Sequence, residues 1–342
     1  MDELEKILVE YRRKKFLVIE PPGNNGDQLI FRGMEKKLNE LGIIYTVLRY
    51  EEIQRFSILQ KLYFNAAIKI SKAMKFAYGS NRNLELCLKK INKKIYERPI
   101  KADKVQTDSS SVILIHGGGN INDIWGSGIL LLRNAIQHNP DSTIIVAPQT
   151  YWFNETPFVE LFHNVRQQIY LFCRGRYSYN LLNSMSLPEN VHINLSHDTT
   201  FYLSKEDFHA RASGYDLICF RTDKESALFR KTKPNITNKK GIIDLSRSKK
   251  GMVIGDISLL NNFRDFINLV EGSRKVFTDR LHVAILAALL GKDTILYPNS
   301  YYKNREVYEF SLSKYHNVFF DNDLRHFEAI INSCAVTEVA LC

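Results

Sequence analysis

Two doubly wound, Rossmann-like α/β domains facing each other across a cleft are the architecture this sequence predicts, on three observations. Short β-branched runs alternate with amphipathic helical patterns, an order that implies parallel sheets wrapped by helices. The 342 residues exceed the usual single-core size of about 100 to 200. A polar stretch near 204–213, SKEDFHARAS, separates two series of strands and sets the domains at 1–205 and 206–342.

The first series opens with FLVIE (16–20), then a helix from about Asp27 to Leu41 that Gly42 stops, then IIYTVLR (43–49). SVILIH (111–116), TIIVAP (143–148), IYLFC (169–173) and VHINL (191–195) continue it, each followed by a helix-like or loop stretch. The second series runs YDLICF (215–220), a loop rich in Lys and Asn (231–240), GIIDL (241–245), KVF (275–277), DTILYP (293–298) and HNVFF (316–320). Its closing helix, LRHFEAIINSC, is expected to pack back on the first domain. Asp321-Asn322-Asp323 looks like a metal-binding DxD, but between a strand and a helix it reads as N-capping.

The net charge of +10 sits in one place. Residues 55–104 hold 13 Lys or Arg against 3 acids, and the rest of the chain balances at 34 and 34. Apolar residues recur there at helical spacing with lysines between them, which predicts two basic amphipathic helices inserted in the first domain. Solvated helix faces are one reading. A surface that meets anionic lipid or a phosphorylated substrate is the other. Nucleic acid is not expected, since no reader motif occurs. The charged start MDELEKILVEYRRKK is no secretory signal, and the longest apolar run is shorter than the roughly 20 residues of a membrane span. Five cysteines (Cys87, Cys173, Cys219, Cys334, Cys342), an odd number without CxxC spacing, predict neither disulfides nor a zinc ribbon. Together these place the protein in the cytoplasm, with peripheral contact at the inner face of the membrane.

In parallel sheets, ligands bind beyond the carboxyl ends of strands, so the loops there supply the candidate residues. PPGNNGDQ offers Asp27, which also suits a helix cap. HGGGNIND offers Gly117, Gly118, Gly119 and Asn120 as a nest of N–H groups for an anion, with Asp123 beside them. CRGRYS offers Arg174 in preference to Arg176. In NLSHDTTF a turn and a site role are both open for His197 and Asp198. Arg221 ends the first strand of the second domain. FTDRLHVAILAALLG places Arg280 and His282 at the start of an apolar helix anchored by Leu281, Ile285, Leu286 and Leu289. There Arg280 can fork onto an anion, and the helix's positive end would disfavour the imidazolium of His282 and leave it a base. No metal-ligand cluster is evident.

These pieces, GNNGDQLI, HGGGNIND, CRGRYSYNLL, HDTTF and above all TDRLHVAILAALLGKDTILYPNSYYK, resemble the polysaccharide pyruvyl transferase family, whose members are similar to two-domain GT-B glycosyltransferases. The resemblance implies transfer of pyruvate from phosphoenolpyruvate to two hydroxyls of a sugar as a ketal. The sugar belongs to a surface or exopolysaccharide or to its lipid-diphosphate-linked precursor. No cofactor or metal is implied. Arg280 and His282 would handle the donor and the proton, Lys303 would be a cleft lysine, and Asp27 or Asp123 would face the cation at the ketal carbon. Gly117, Gly118, Gly119, Asn120, Arg174, Arg221 and Lys303 would bind the donor. One departure is Gly175, where an acidic residue usually follows the arginine. The alternative is a GT-B glycosyltransferase with a nucleotide-sugar donor. Against it, no two glutamates here are separated by seven residues.

Overall fold

The computed structural model describes residues 1–21, 23–49, 105, 107, 111–209, 214–228 and 251–335. The basic segment 55–104, with its two expected helices, and the stretch 231–245 lie outside the described residues. Within them, eleven strands form two parallel sheets. The first sheet has the order β2-β1-β3-β4-β5-β6. Its strands are β1 (Phe16–Ile19), β2 (Tyr45–Leu48), β3 (Val112–Ile115), β4 (Thr143–Gln149), β5 (Ile169–Cys173) and β6 (Val191–Leu195). The second is ordered β11-β10-β9-β7-β8. It comprises β7 (Tyr215–Cys219), β8 (Met252–Ile254), β9 (Ser273–Thr278), β10 (Asp293–Leu296) and β11 (Val318–Phe320).

Each sheet is doubly wound, because β1 has β2 on one side and β3 on the other, and β7 has β8 and β9. Helices cover both faces of the first sheet, so its central strands carry apolar side chains on both. Ile113 and Ile115 face a core shared with helix residues Leu131, Leu132 and Leu182. The alternate residues Val112 and Leu114 face Leu4, Leu8, Met34 and Leu38. Each such side chain buried contributes about 1.5–3 kcal/mol.

The helices are α1 (Glu3–Glu10), α2 (Asn25–Glu40), α3 (Ser127–His138), α4 (Arg176–Asn183), α5 (Phe263–Glu271), α6 (Leu281–Leu289), α7 (Lys303–Phe310) and α8 (Leu324–Ala335). Two of them position the site. α6 is buried from Leu281 through Ala288, as befits a helix apolar all round. α2 belongs to the first sheet, yet its Leu29 packs with Leu217, Phe266, Val283 and Leu286 of the second half. In the closing helix, Phe327 and Ile331 of α8 pack with Ile218, Phe220, Ile254 and Tyr297, covering the second sheet. Strand β8, only three residues long, was absent from the sequence expectation.

After β6 the chain lies along α2, where the Thr199 hydroxyl donates to the Ile30 carbonyl at 2.8 Å. The fit depends on Gly33, since a Cβ there would stand 1.9 Å from the Thr199 carbonyl oxygen. Alanine is worth about 1 kcal/mol over glycine inside a helix, but overpacking against backbone costs about 1–3 kcal/mol. Gly33→Ala is therefore expected to lower the melting temperature despite its better helix propensity. A thermal scan against wild type checks it, and an unchanged or raised midpoint would show that the contact can relax.

Candidate active site

The loops at the carboxyl ends of both sheets enclose a cavity of about 780 Å³. From the first half it is lined by the start of α2, by Gly119 and Asn120 after β3, and by Trp125; from the second, by Arg221, Asp223 and Glu225 after β7, by residues 258–261, by Arg280 and His282, and by Lys303. Another depression, about 840 Å³ beside Arg133, Gln137, Glu160, His163 and Arg166, holds none of the expected site residues.

His282 lies in the first turn of α6, and its Nε2 is 3.4 Å from Oδ2 of Asp198. The same oxygen accepts Nη1–H of Arg174 at 2.7 Å, and Oδ1 accepts the Thr200 N–H at 3.0 Å. Burial alone would raise the Asp198 carboxyl; the hydrogen bond and charge of His282, then Arg174 and the Thr200 N–H, outweigh it and hold the group well below the usual carboxylate range. The helix start expected to act on His282 is thus joined by a buried carboxylate. The ring also closes on α2: a Cβ on Gly26 would lie 2.7 Å from Nδ1 of His282, so only glycine lets the two helix starts meet here.

Arg280 is not free to fork onto a donor. Its Nε and Nη2 both donate to Asp256, the former at 2.9 Å, and Nη1 is 3.1 Å from Asp223. Arg221 bonds Asp223 through Nε and Nη2, each at 3.0 Å, and its Nη2 lies 2.7 Å from Glu225. Lys303, at the start of α7, donates to Glu225 at 2.8 Å. Burial first, then the nearby Arg221 and Arg174, push its ammonium down to about 8 against the pull of Glu225. Asp279 is a brace, accepting the Arg221 N–H at 2.7 Å, and burial pushes its carboxyl up to about 7.

Arg174 differs from the other cations. It is fully buried, and its Nε donates to the Thr150 hydroxyl at 2.9 Å. Nη2 has no partner among the described residues. A Cβ on Gly119 would stand 3.3 Å from that Nη2 and 3.2 Å from Nζ of Lys303, so the missing side chain leaves a space bounded by two cations. Arg176 is exposed. At the departure noted above, Gly175 makes room for Glu306 of α7, whose side chain a Cβ would meet at 2.6 Å.

Several expected residues have other duties. In the glycine run two of the N–H groups expected to form a nest are engaged within the protein: the Gly118 N–H donates to the Pro148 carbonyl at 2.9 Å and the Asn120 N–H to Gln149 Oε1 at 3.2 Å, prolonging the pairing of β3 with β4. Gly117 packs against the Pro148 carbonyl. Asp123 accepts the Asn154 and Glu155 N–H groups at 2.6 and 2.7 Å and is absent from the cavity wall, so it clamps a loop. Asp27 does line the cavity, with one oxygen accepting the Asn24 N–H at 3.0 Å in a capping box. His197 hydrogen-bonds Ser311 at 2.8 Å. Asp323 accepts the Arg325 N–H at the start of α8. The carboxylates that sequence reasoning missed are Asp223, Glu225 and Asp256. Each follows a strand of the second sheet, the signal that could have found them.

Two Rossmann-like halves enclosing a cavity of paired and partly unpaired cations define a two-domain GT-B-like protein. Residues 24–301 match the family described as polysaccharide pyruvyl transferase, and the chain belongs to that family. It is similar to pyruvyl transferase 1 of Schizosaccharomyces pombe, at 25% identity over 206 residues, 55% of this chain and 51% of the relative. The chain thus spans about half the length of that relative. It is also similar to EpsO of Bacillus subtilis, a protein named for pyruvyl transfer, at 24% identity over 232 residues, 59% of this chain and 69% of the other. Among solved structures, a functionally uncharacterised protein of Klebsiella pneumoniae matches with a TM-score of 0.61 over 94% of this chain and 97% of its own, at 23% identity, a likeness of fold.

The Asp198 bridge sets a pH dependence. A carboxyl whose folded pKa lies below its unfolded value of about 3.9 adds stability in full above that value and loses it as pH falls toward the folded pKa. Asp198→Asn is expected to destabilise by about 3–5 kcal/mol at neutral pH, as Arg174 loses a buried counter-ion. In denaturant titrations across pH, the gap to wild type should be flat above about pH 5 and close in acid. A gap independent of pH down to acid unfolding would remove the ion pair as its cause.

Proposed function

We propose that this chain transfers pyruvate from phosphoenolpyruvate to two hydroxyls of a saccharide bound for a surface polysaccharide, forming a ketal and releasing inorganic phosphate. The observation that carries this reading is the space at Gly119 between the unpartnered Nη2 of Arg174 and the ammonium of Lys303. The donor carries phosphate and carboxylate, and charge-assisted hydrogen bonds from a buried guanidinium and ammonium are the strong kind for such groups. The starts of α2 and α6 add N–H groups on the adjoining wall.

The chemistry needs one proton given and two taken. Protonation of the donor's methylene carbon turns the adjacent enol carbon into an oxocarbenium; one sugar hydroxyl adds to it and loses its proton; phosphate then leaves and the second hydroxyl adds and loses its proton. His282, oriented by Asp198, is the group on the cavity wall suited to moving these protons. Asp27 supplies negative charge on the same wall for the cationic carbon. Nothing in the donor set calls for a metal: Asp223, Glu225 and Asp256 are each held by Arg or Lys, and no group of three or more His, Cys, Asp or Glu able to hold one occurs among the described residues. Turnover is expected to survive chelator.

Labelled phosphoenolpyruvate should bind and be consumed with a suitable sugar, whereas a panel of nucleotide sugars should bind weakly. Preference for a nucleotide sugar would support a GT-B glycosyltransferase instead. His282→Ala should keep donor affinity and lose turnover by about 100-fold or more. Gly119→Ala, whose methyl enters the space between the cations, should instead weaken the donor with the fold intact. Wild-type turnover in His282→Ala would take the residue out of the mechanism.

On the same reading, the basic segment 55–104 brings the enzyme to anionic lipid carrying a lipid-diphosphate-linked acceptor, each Lys or Arg near the surface adding about 1 kcal/mol. No helix among the described residues is long and apolar enough to cross a membrane. The chain should therefore float with anionic vesicles at low salt and release at high salt. Indifference to such vesicles would end the membrane reading.

A further inference from the structure

The ion pairs at the cavity converge on one carboxylate. Glu225 follows β7, is fully buried and lines the cavity. Its Oε2 accepts Nζ of Lys303 at 2.8 Å and Nη2 of Arg221 at 2.7 Å. Its Oε1 accepts the indole N–H of Trp125, and the Tyr301 hydroxyl stands 3.4 Å from the same oxygen. The donors come from three places: the segment after β7, the start of α7, and, through Trp125, the opposite half of the molecule. Next to Trp125, Lys224 adds a second crossing, its ammonium bonded to the Ile124 carbonyl and 4.8 Å from the centre of the Trp125 ring.

A carboxylate engaged by four donors has little capacity left for substrate or for a proton, which argues against a role in the chemical steps. What it does control is the charge beside the donor space. The charged groups facing Lys303 are Glu225 and Arg221 from the segment after β7 and Arg174 from the end of β5. Both arginines repel the ammonium, and Glu225 alone among them attracts it.

We propose that Glu225 is a positioning residue for donor binding: it holds the Lys303 ammonium beside Gly119 and Arg174, sets Arg221 across from it, and ties this cation cluster to Trp125 on the other wall of the cleft. The inference rests on the reading of the cavity as a phosphoenolpyruvate site. With Glu225 in place, Lys303 sits at about 8. An anion favours the protonated lysine, so affinity is full below that pH and declines as pH rises through it. Without Glu225, the two arginines and burial remain, and the decline moves to lower pH.

Phosphoenolpyruvate is titrated into the purified chain by calorimetry between about pH 5 and 9.5, the span that a limb near 8 and its downward shift require. Wild type should lose affinity as pH rises through about 8. Glu225→Gln should move this limb down by about 1–3 pH units, the range for losing an adjacent opposite charge. Lys303→Arg, which does not titrate there, should remove the limb, and adding Glu225→Gln to it should not restore one. Glu225→Asp, keeping the charge, should bring the limb back toward wild type; if Glu225→Gln fails to fold, a smaller downward shift in Glu225→Asp is the supporting result. A limb that stays put in the folded Glu variant overturns the proposal. Absence of any phosphoenolpyruvate binding by wild type overturns the donor reading itself.

Discussion

The contact between Asp198 and its two partners joins the halves of this protein at the point where their chemistry meets. Asp198 leaves the first sheet just after β6, Arg174 ends β5, and His282 begins α6 in the second half. All three are nearly or wholly removed from water. A buried carboxylate of this kind is tolerable only while its partners stay in reach, because desolvation of the charge outweighs any single attraction. Hence the rigid surroundings: the Thr200 N–H fixes one oxygen, the Thr150 hydroxyl fixes the arginine, and Gly26 lets α2 close on the imidazole.

Close approach is the second constraint, and it follows from the first. Groups that must meet across two sheets need backbone to come within side-chain distance, and glycine supplies this at Gly26, Gly119 and Gly175, as Gly33 does within the first half. At Gly33 and Gly175 the space is filled by packing, the Thr199 carbonyl in one case and the Glu306 side chain in the other. At Gly119 it is bounded by two cations. The same absence of a side chain therefore acts as packing in two places and leaves a gap between two cations in one.

This difference marks what the sequence could disclose. The parallel sheets were legible because their strands are buried on both faces and read as unbroken apolar runs, such as Val112–Ile115. Strand β8, three residues long, fell below that signal, and Asp256 after it was lost with it. Arg174, Arg221 and His282 stood out because a basic side chain at the end of a strand or the start of a helix contrasts with apolar neighbours, whereas Lys303 came only from the family resemblance. Their carboxylate partners were harder to see. Asp223, Glu225 and Asp256 lie in turns, where acidic residues are common for local reasons, and nothing in a linear chain says which arginine they will meet. Pairing is a property of the third dimension, and it is why Arg280 was expected to be open and is instead engaged by two aspartates.

The pairing also explains how such a cavity can exist before a substrate enters. Several unpaired cations behind a wall of apolar side chains would repel one another and destabilise the fold. Here Asp256 and Asp223 hold Arg280, Asp223 and Glu225 hold Arg221, and Glu225 holds Lys303, so the second half meets the cavity nearly neutral. Anion capacity is concentrated where compensation is incomplete: at Nη2 of Arg174, the guanidinium corner with no partner among the described residues, and at Lys303, whose ammonium burial and two arginines have already weakened. A phosphate or carboxylate placed there would gain hydrogen bonds that the protein has left unmade, and its charge would favour a proton on Lys303.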